Sequence, residues 1–256
     1  MKAIVSVKDV RCGYQNTEVL HGISFEANVN EKICIIGPNG CGKTTLLRAV
    51  GNIIPFQGEI VACGQRVDGA KRKELAKKVA YMNQINNIDF AHTVYDTVML
   101  GRYAYSSGLV DTNFATNRNI VEEAMHQTGI YELRDRILTE LSGGQLQRVM
   151  LARAFAQTPN IILLDEPMNH LDFKYQIELM EYLNKWVMEG DRCIISVLHD
   201  FNMAFHFADR IILMNDGKFV INAGKKKFPM EKINEIYKMD VCRYMCDSLK
   251  FWKKEN

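Results

Sequence analysis

Gly37-Pro38-Asn39-Gly40-Cys41-Gly42-Lys43-Thr44-Thr45, directly after the apolar run Lys32-Ile33-Cys34-Ile35-Ile36, is the stretch on which the reading of this chain turns. It fits G-x-x-x-x-G-K-[ST], with Gly37 and Gly42 as the fixed glycines and Lys43 and Thr44 closing the pattern. Glycines let the backbone curl so that successive N–H groups face one point, where Cβ atoms would obstruct an approaching phosphate. A helix beginning near Gly42 adds its positive N-terminal end. Lys43 would then reach the β- and γ-phosphates of a nucleoside triphosphate, and the Thr44 hydroxyl would ligand Mg²⁺. Such a pattern arises by chance on the order of once per hundred chains of this length. With a strand before it, a plain Gly-rich turn ahead of an ordinary helix is the weaker reading.

Working outward, composition sets bounds. At 256 residues the chain is one large domain or two small ones. Its 47% apolar and 24% charged residues are ordinary for a globular protein, and the net charge of +2 gives no strong signal for nucleic acid or membrane surface. The longest apolar runs, such as Ile161 to Leu164 and Cys193 to Leu198, are far too short to span a bilayer. The N-terminus carries Lys2, Lys8, Asp9 and Arg11 and lacks a signal-peptide core, so a cytoplasmic protein is expected. Cysteines at 12, 34, 41, 63, 193, 242 and 246 follow no disulfide framework, which fits a reducing compartment. Cys242 and Cys246 are spaced for a metal pair, but no second pair lies nearby.

Taken in order, Ile4 to Val10 and Thr17 to Ala27 alternate as strands, with His21-Gly22 as a bend in the second. Tyr14 lies between them, placed equally well to stack on an adenine ring or to pack a turn. Lys32 to Ile36 is a buried strand, followed by the phosphate loop and a helix to about Val50. Short strands at Glu59 to Ala62 and Val79 to Met82 flank a basic helix around Ala70 to Lys78. From about Gln84 to Glu140 strand signals fade and helical patterns appear at Val94 to Leu100 and Asn117 to Thr128, which reads as a helical insertion. Alternation then returns: a helix from Gln145 to Gln157, a strand from Ile161 to Leu164, and a long amphipathic helix from Phe173 to Met188. A strand at Cys193 to Leu198, a helix at Phe201 to Phe207 and a strand at Ile211 to Met214 come next. Asn215-Asp216-Gly217 is a hairpin turn into Lys218 to Ile221. Strands alternating with helices predict an α/β fold with a mostly parallel sheet. Lys225 to Lys227 reads as a solvated turn, and the tail from Ile233 onward gives no clear assignment.

Two further stretches raise the nucleotide reading to a machine. Asp165-Glu166 ends the Ile161 to Leu164 strand; a carboxylate there can hold Mg²⁺ with Thr44, and its neighbour can take a proton from an attacking water. Leu141-Ser142-Gly143-Gly144-Gln145 opens a helix with a second anion-binding end. With these in place the chain resembles the ABC ATPase family over nearly its whole length, to about Tyr237. The motifs stand in the family's order: an A-loop aromatic (Tyr14), Walker A (Gly37 to Thr45), a Q-loop glutamine (Gln84), the signature (Leu141 to Val149), Walker B (Ile161 to Glu166), a D-loop (Asn169 to Asp172) and a switch histidine (His199).

That resemblance implies a P-loop NTPase core with an N-terminal antiparallel β subdomain and an α-helical subdomain inserted at about 84–156, all within residues 1–240, and a tail, 241–256, of unassigned role. It implies that Tyr14 stacks on adenine and that Gly37, Pro38, Asn39, Gly40, Cys41, Gly42, Lys43, Thr44 and Thr45 hold the phosphates of ATP. Thr44, Gln84 and Asp165 would surround Mg²⁺ and its waters, Glu166 would be the base for the lytic water, and His199 would contact the γ-phosphate. Ser142, Gly143, Gly144 and Gln145 would face the ATP of a second copy, since family members sandwich two ATPs head to tail, and Asp172 would communicate between the sites. The variable position Cys41 predicts sensitivity to alkylation. His21, His92, His126, His170 and His206 have no such support and read as structural.

One cassette, with neither fused membrane part nor long heptad segment, is expected to be the ATPase subunit of a multi-subunit importer. It would sit at the cytoplasmic face of the membrane, with integral-membrane permease subunits as partners and, indirectly, an extracytoplasmic substrate-binding protein; no nucleic acid partner is expected. Thr97 to Arg102, Asn169 to Asp172 and Val197 to Lys218 look like the group serving iron–siderophore, haem and cobalamin importers. Alternatives are an importer for molybdate or a metal ion, or a soluble ribosome-associated or regulatory ABC ATPase. Met168, where Thr is usual, and Leu146, where a polar residue often stands, depart from the pattern without removing a catalytic group.

Overall fold

β1 (Ala3–Tyr14) and β2 (Thr17–Asn28) form the long hairpin that period-two alternation calls for, with β4 (Gln57–Ala62) on the other side of β1 and β5 (Gln65–Arg66) beyond it, all antiparallel. The computed structural model describes residues 2–15, 17–83, 92–105, 114–169 and 171–250. β1 runs past Val10 to Tyr14 and β2 does not break at His21-Gly22. The irregularity is a bulge instead: Val7 pairs with Phe25 and Val10 with Ile23, so Lys8 and Asp9 share one partner position. Gly22, at φ 82°, lies under Asp9, whose Oδ1 would be 2.6 Å from a Cβ there.

The second sheet has the order β10-β9-β3-β8-β7-β6. Its strands are β3 (Glu31–Ile36), β6 (Val79–Met82), β7 (Ile161–Asp165), β8 (Cys193–Val197), β9 (Arg210–Asn215) and β10 (Lys218–Gly224). From β9 to β6 every pairing is parallel; β10 alone is antiparallel, turned back at Asp216-Gly217, both at positive φ as a type I′ hairpin requires. Every residue of β7 and β8 is buried, as expected of parallel strands covered on both faces.

Side-chain alternation divides two cores across this sheet. Ile33 and Ile35, Ile161 and Leu163, and Cys193 and Ile195 join the core shared with the antiparallel sheet and α1 (Lys43–Val50). Cys34 and Ile36, Ile162 and Leu164, and Ile194 face the opposite core. That core includes residues of α3 (Val94–Met99), α4 (Phe114–Gln127), α5 (Gly143–Ala156), α6 (Phe173–Met188) and α7 (Phe201–Phe207). α3 and α4 follow β6 and pack on α5, which leads into β7. Burying both faces of a six-stranded sheet fixes the strand ends that carry the loops.

Three local readings gain detail. The basic helix α2 covers only Arg72–Ala76, because Lys71 is extended at its N-terminus and the backbone leaves helical bonding after Lys77. Lys225–Lys227 is a single turn of 3₁₀ helix. The tail folds as α8 (Glu231–Tyr237) and α9 (Val241–Ser248), which pack on each other. Asp240 joins them: its Oδ1 accepts from Arg243 N at 3.0 Å, an N-cap, and from Asn234 Nδ2 at 2.9 Å. Gln84 and His170 lie outside the described residues. Among those described, no helix is long and apolar enough to cross a membrane.

Candidate nucleotide site

The phosphate loop leaves the end of β3 and enters α1 at Lys43. Its glycines are required by position. A Cβ on Gly37, at φ 149°, would sit 2.1 Å from the Met214 carbonyl oxygen of β9, whereas at Gly40, φ 78°, nothing lies within 4 Å and the loop opens outward. Gly217 N, in the β9–β10 turn, donates to Cys41 O at 3.1 Å and holds the loop from behind. Lys43 is 6% exposed, and its Nζ donates to Gly37 O and Pro38 O at 2.8 Å each. A buried ammonium on two neutral carbonyls suits an arriving anion, because charge out of water is costly without a counter-charge. Asn39 and Gly40 are exposed at the loop tip, whereas Thr45 is buried in α1.

Cys41 is a correction. A loop cysteine was expected to be open to alkylation, but it is 5% exposed, with Sγ 3.0 Å from where a Gly37 Cβ would lie, and burial pushes its thiol pKa up. The thiolate, the reactive form, is disfavoured there.

Thr44 and Asp165 meet as expected of two groups on one cation. Thr44 Oγ1 donates to Asp165 Oδ1 at 2.9 Å, and Asp165 is 6% exposed at the end of β7. Residues that motif reading passes over complete the arrangement. Tyr81, in β6 beside β7, donates its hydroxyl to Asp165 Oδ2 at 2.8 Å. Burial first, then the Asp165 charge, pushes the Tyr81 pKa up, so its proton stays in place as donor. Arg48 Nη1 donates to the Tyr14 hydroxyl at 3.2 Å, and the same guanidinium hydrogen-bonds Tyr81. A polar chain thus runs from Tyr14, 43% exposed, to Asp165. No spacing rule would have found Tyr81, which only the β6–β7 pairing brings to the site, whereas Arg48 stands one helical turn past Thr44 in α1.

The donor set fits Mg²⁺. A hydroxyl and a carboxylate are hard oxygen ligands, and Mg²⁺ takes few protein groups because phosphates and water complete its octahedron.

Glu166 follows Asp165 with φ 53°, a left-handed backbone that a glutamate adopts only under constraint. Its N–H donates to Val197 O at 3.2 Å, which ties the turn to β8. One carboxylate oxygen meets His199 Nε2 and the other accepts from Asn169 Nδ2 at 2.5 Å. His199 stands after β8, next to Asp200, which caps α7 by accepting from Met203 N at 2.9 Å. Glu166, Asn169, Gln176 and His199 line a cavity of about 160 Å³. The base and histidine expected from the sequence are therefore adjacent, and Asn169 is a further residue on the same carboxylate.

Ser142 and Gln145 are occupied with each other. Gln145 N donates to Ser142 Oγ at 3.3 Å and Ser142 N to Gln145 Oε1 at 3.0 Å, a capping box that opens α5. Ser142 and Gly143 are exposed, and Gly144 is buried. Asp172 is exposed at the N-cap position of α6, where its carbonyl accepts from Gln176 N at 3.0 Å.

Comparison with known proteins agrees with this geometry. Residues 20–169 match the family model described as ABC transporter. A petrobactin import ATP-binding protein of Bacillus subtilis, YclP, is 34% identical over 241 residues, 93% of this chain and 94% of that one. A hemin import ATP-binding protein of Bradyrhizobium diazoefficiens, HmuV, is 31% identical over 264 residues, covering 98% and 94%. YvrA of Bacillus subtilis, an uncharacterized ABC transporter ATP-binding protein, is 37% identical over 235 residues, 90% of this chain but only 52% of that longer one. Among solved structures, the dimeric post-hydrolysis state of an ATP-binding cassette bound to ADP and Pi superposes with TM-score 0.73 at 28% identity, over 88% of this chain and 100% of that one. A phosphate loop on a parallel sheet, two adjacent carboxylates at the end of β7 in the same sheet, and a capped helix start thus meet a family match over more than half the chain: the protein belongs to the ABC transporter family, as one of its ATP-hydrolysing cassettes.

Proposed function

We propose that the chain works as the ATPase subunit of an importer, at the cytoplasmic face of the membrane. Two copies would pair head to tail around two ATPs and drive a separate membrane permease supplied by an extracytoplasmic binding protein. The substrate class is an iron–siderophore, haem or cobalamin, supported by relatives described as petrobactin, hemin and cobalamin import proteins. The observation that carries the pairing is the division of the site. The phosphate loop, Thr44, Asp165, Glu166 and His199 converge, whereas Ser142 and Gly143 stand exposed at a helix N-terminus whose capping bonds are internal. A positive helix end facing outward suits a phosphate brought by another molecule.

In this reading Lys43 binds the β- and γ-phosphates, and Thr44, Gln84 and Asp165 hold Mg²⁺ and its waters. Glu166 takes the proton of the attacking water, His199 orients Glu166 and the γ-phosphate, Tyr14 stacks on adenine, and Asp172 lies between the paired sites. Mg²⁺ held by these groups would offset the negative charge of the phosphates. ATP acts as a clamp only through its preference for the paired form. Glu166→Gln should bind ATP and accumulate as an ATP-bound dimer, seen by light scattering; rapid turnover by that variant would remove Glu166 as base. Ser142→Arg should leave ATP binding by the monomer intact and abolish hydrolysis; unchanged hydrolysis would contradict the pairing. Co-purification with a many-helix membrane protein tests the importer role, and recovery only on ribosomes would overturn it.

A further inference from the structure

Glycine at position 144 has an obvious reason in a phosphate-facing turn, but a different neighbour fills the space in this fold. A Cβ there would lie 2.3, 2.6 and 2.7 Å from Cδ2, Cγ and Cε2 of Tyr175, ring atoms that move only if the whole side chain leaves. Tyr175 belongs to α6, three residues past Asp172. Its ring is held in turn. The Arg148 guanidinium lies 5.3 Å from the ring centroid and 3.8 Å from Glu178, and it donates from Nη1 to Gly129 O at 3.4 Å. Lys174 Nζ stands 5.9 Å from the same ring. A second tie lies nearby: Gln147, 7% exposed in α5, donates Nε2 to Pro167 O at 2.6 Å, next to Glu166.

The first turn of α5 is therefore fastened at two points to the segment that carries Glu166 and Asp172. We infer that Tyr175 is a positioning residue whose ring sets where Ser142 and Gly143 stand relative to the same subunit's Glu166 and Asp172. The serine that one copy offers its partner's nucleotide then moves together with that copy's own catalytic glutamate. Displacing the ring should leave ATP binding at the phosphate loop untouched and weaken only the steps that need the paired form. This rests on the head-to-tail reading above.

The test uses the full chain and four variants, with fluorescent-ATP affinity of the monomer, ATP-driven dimerisation by light scattering, and kcat and KM of hydrolysis as readouts. Tyr175→Phe should match wild type, because ring volume rather than the hydroxyl makes the contact. Tyr175→Ala should lower dimerisation and kcat about tenfold with monomer affinity within about twofold. Tyr175→Leu, which keeps apolar volume but not the flat ring, should show the same split and serves if the alanine variant fails to fold. Gly144→Ala should abolish hydrolysis, and Gly144→Ala with Tyr175→Ala should recover to the level of Tyr175→Ala alone. A double variant as inactive as Gly144→Ala, beside an active Tyr175→Ala, would overturn the inference, as would Tyr175→Ala and Tyr175→Leu that dimerise like wild type. A wild-type chain that hydrolyses ATP without pairing would instead overturn the head-to-tail reading, and this one with it.

Discussion

Removing one oxygen atom, in Tyr81→Phe, tests whether the groups behind Asp165 set the hold on Mg²⁺ proposed for it. Asp165 is fixed through both oxygens: Thr44 donates to one at 2.9 Å and Tyr81 to the other at 2.8 Å. Phenylalanine keeps the ring packing, so no cavity opens and the change is confined to the hydroxyl's hydrogen bonds with Asp165 and Arg48. Two effects oppose. An unbonded carboxylate concentrates its charge, which favours the cation, while one freed to rotate loses the orientation that the ion needs. Orientation should win. Partners behind metal ligands cost about 10–100-fold in affinity when removed, and a hydrogen bond to a charged group is worth ~1.5–3 kcal/mol, or about tenfold at its lower end. Asp165 is only 6% exposed, so water replaces the lost donor poorly. Hydrolysis measured against free Mg²⁺ at saturating ATP should therefore show half-saturation raised about tenfold, with kcat at saturating Mg²⁺ within about threefold of wild type. An unchanged Mg²⁺ curve, or one shifted to tighter binding, would refute the argument.

Other outcomes follow from single contacts. Gly37→Ala places a Cβ 2.1 Å from Met214 O at φ 149°, so it should cost at least ~1–3 kcal/mol of stability in thermal unfolding and eliminate nucleotide binding. Cys41 should react with maleimide at least about tenfold more slowly in the native protein than in the denatured chain near neutral pH, and faster as pH rises; equal rates would mean an open loop. Burial holds the Cys34 thiol at about 12, above its ordinary value of 9.0. Between those values the unfolded state releases a proton that the folded state keeps. The contribution is thus fully present below pH 9.0 and is lost as pH rises toward 12, at up to ~1.4 kcal/mol per pH unit for this thiol. Cys34→Ala should flatten that alkaline slope in denaturant titrations.

The phosphate loop was legible because its chemistry is local: glycines, a lysine and a threonine at set intervals, following a buried strand. The helix start at Leu141 to Gln145 is local in the same way. What escaped depends on strands brought together across the chain. Tyr81 reaches Asp165 only because β6 pairs with β7, and Tyr175 meets Gly144 only because the first turn of α6 lies beside the start of α5. Cys41 was misjudged for the converse reason: a loop position looks exposed until the β9–β10 turn closes behind it. The tail carried a readable cap in Asp240 and an amphipathic helical period over Val241–Ser248, signals that the reading of the sequence passed over.

The place of β3 in its sheet has a consequence for how the chain is made. Its neighbours are β8 and β9, both from the last quarter of the sequence, and the turn that backs the phosphate loop follows β9. A ribosome that has delivered Gly37 to Thr45 has delivered none of these. Closing contacts so distant in sequence is slow, and until it happens β3 presents two unpaired edges to other nascent chains. The site for ATP thus becomes whole only after β9 and its turn have been delivered, and nucleotide cannot stabilise the cassette before then.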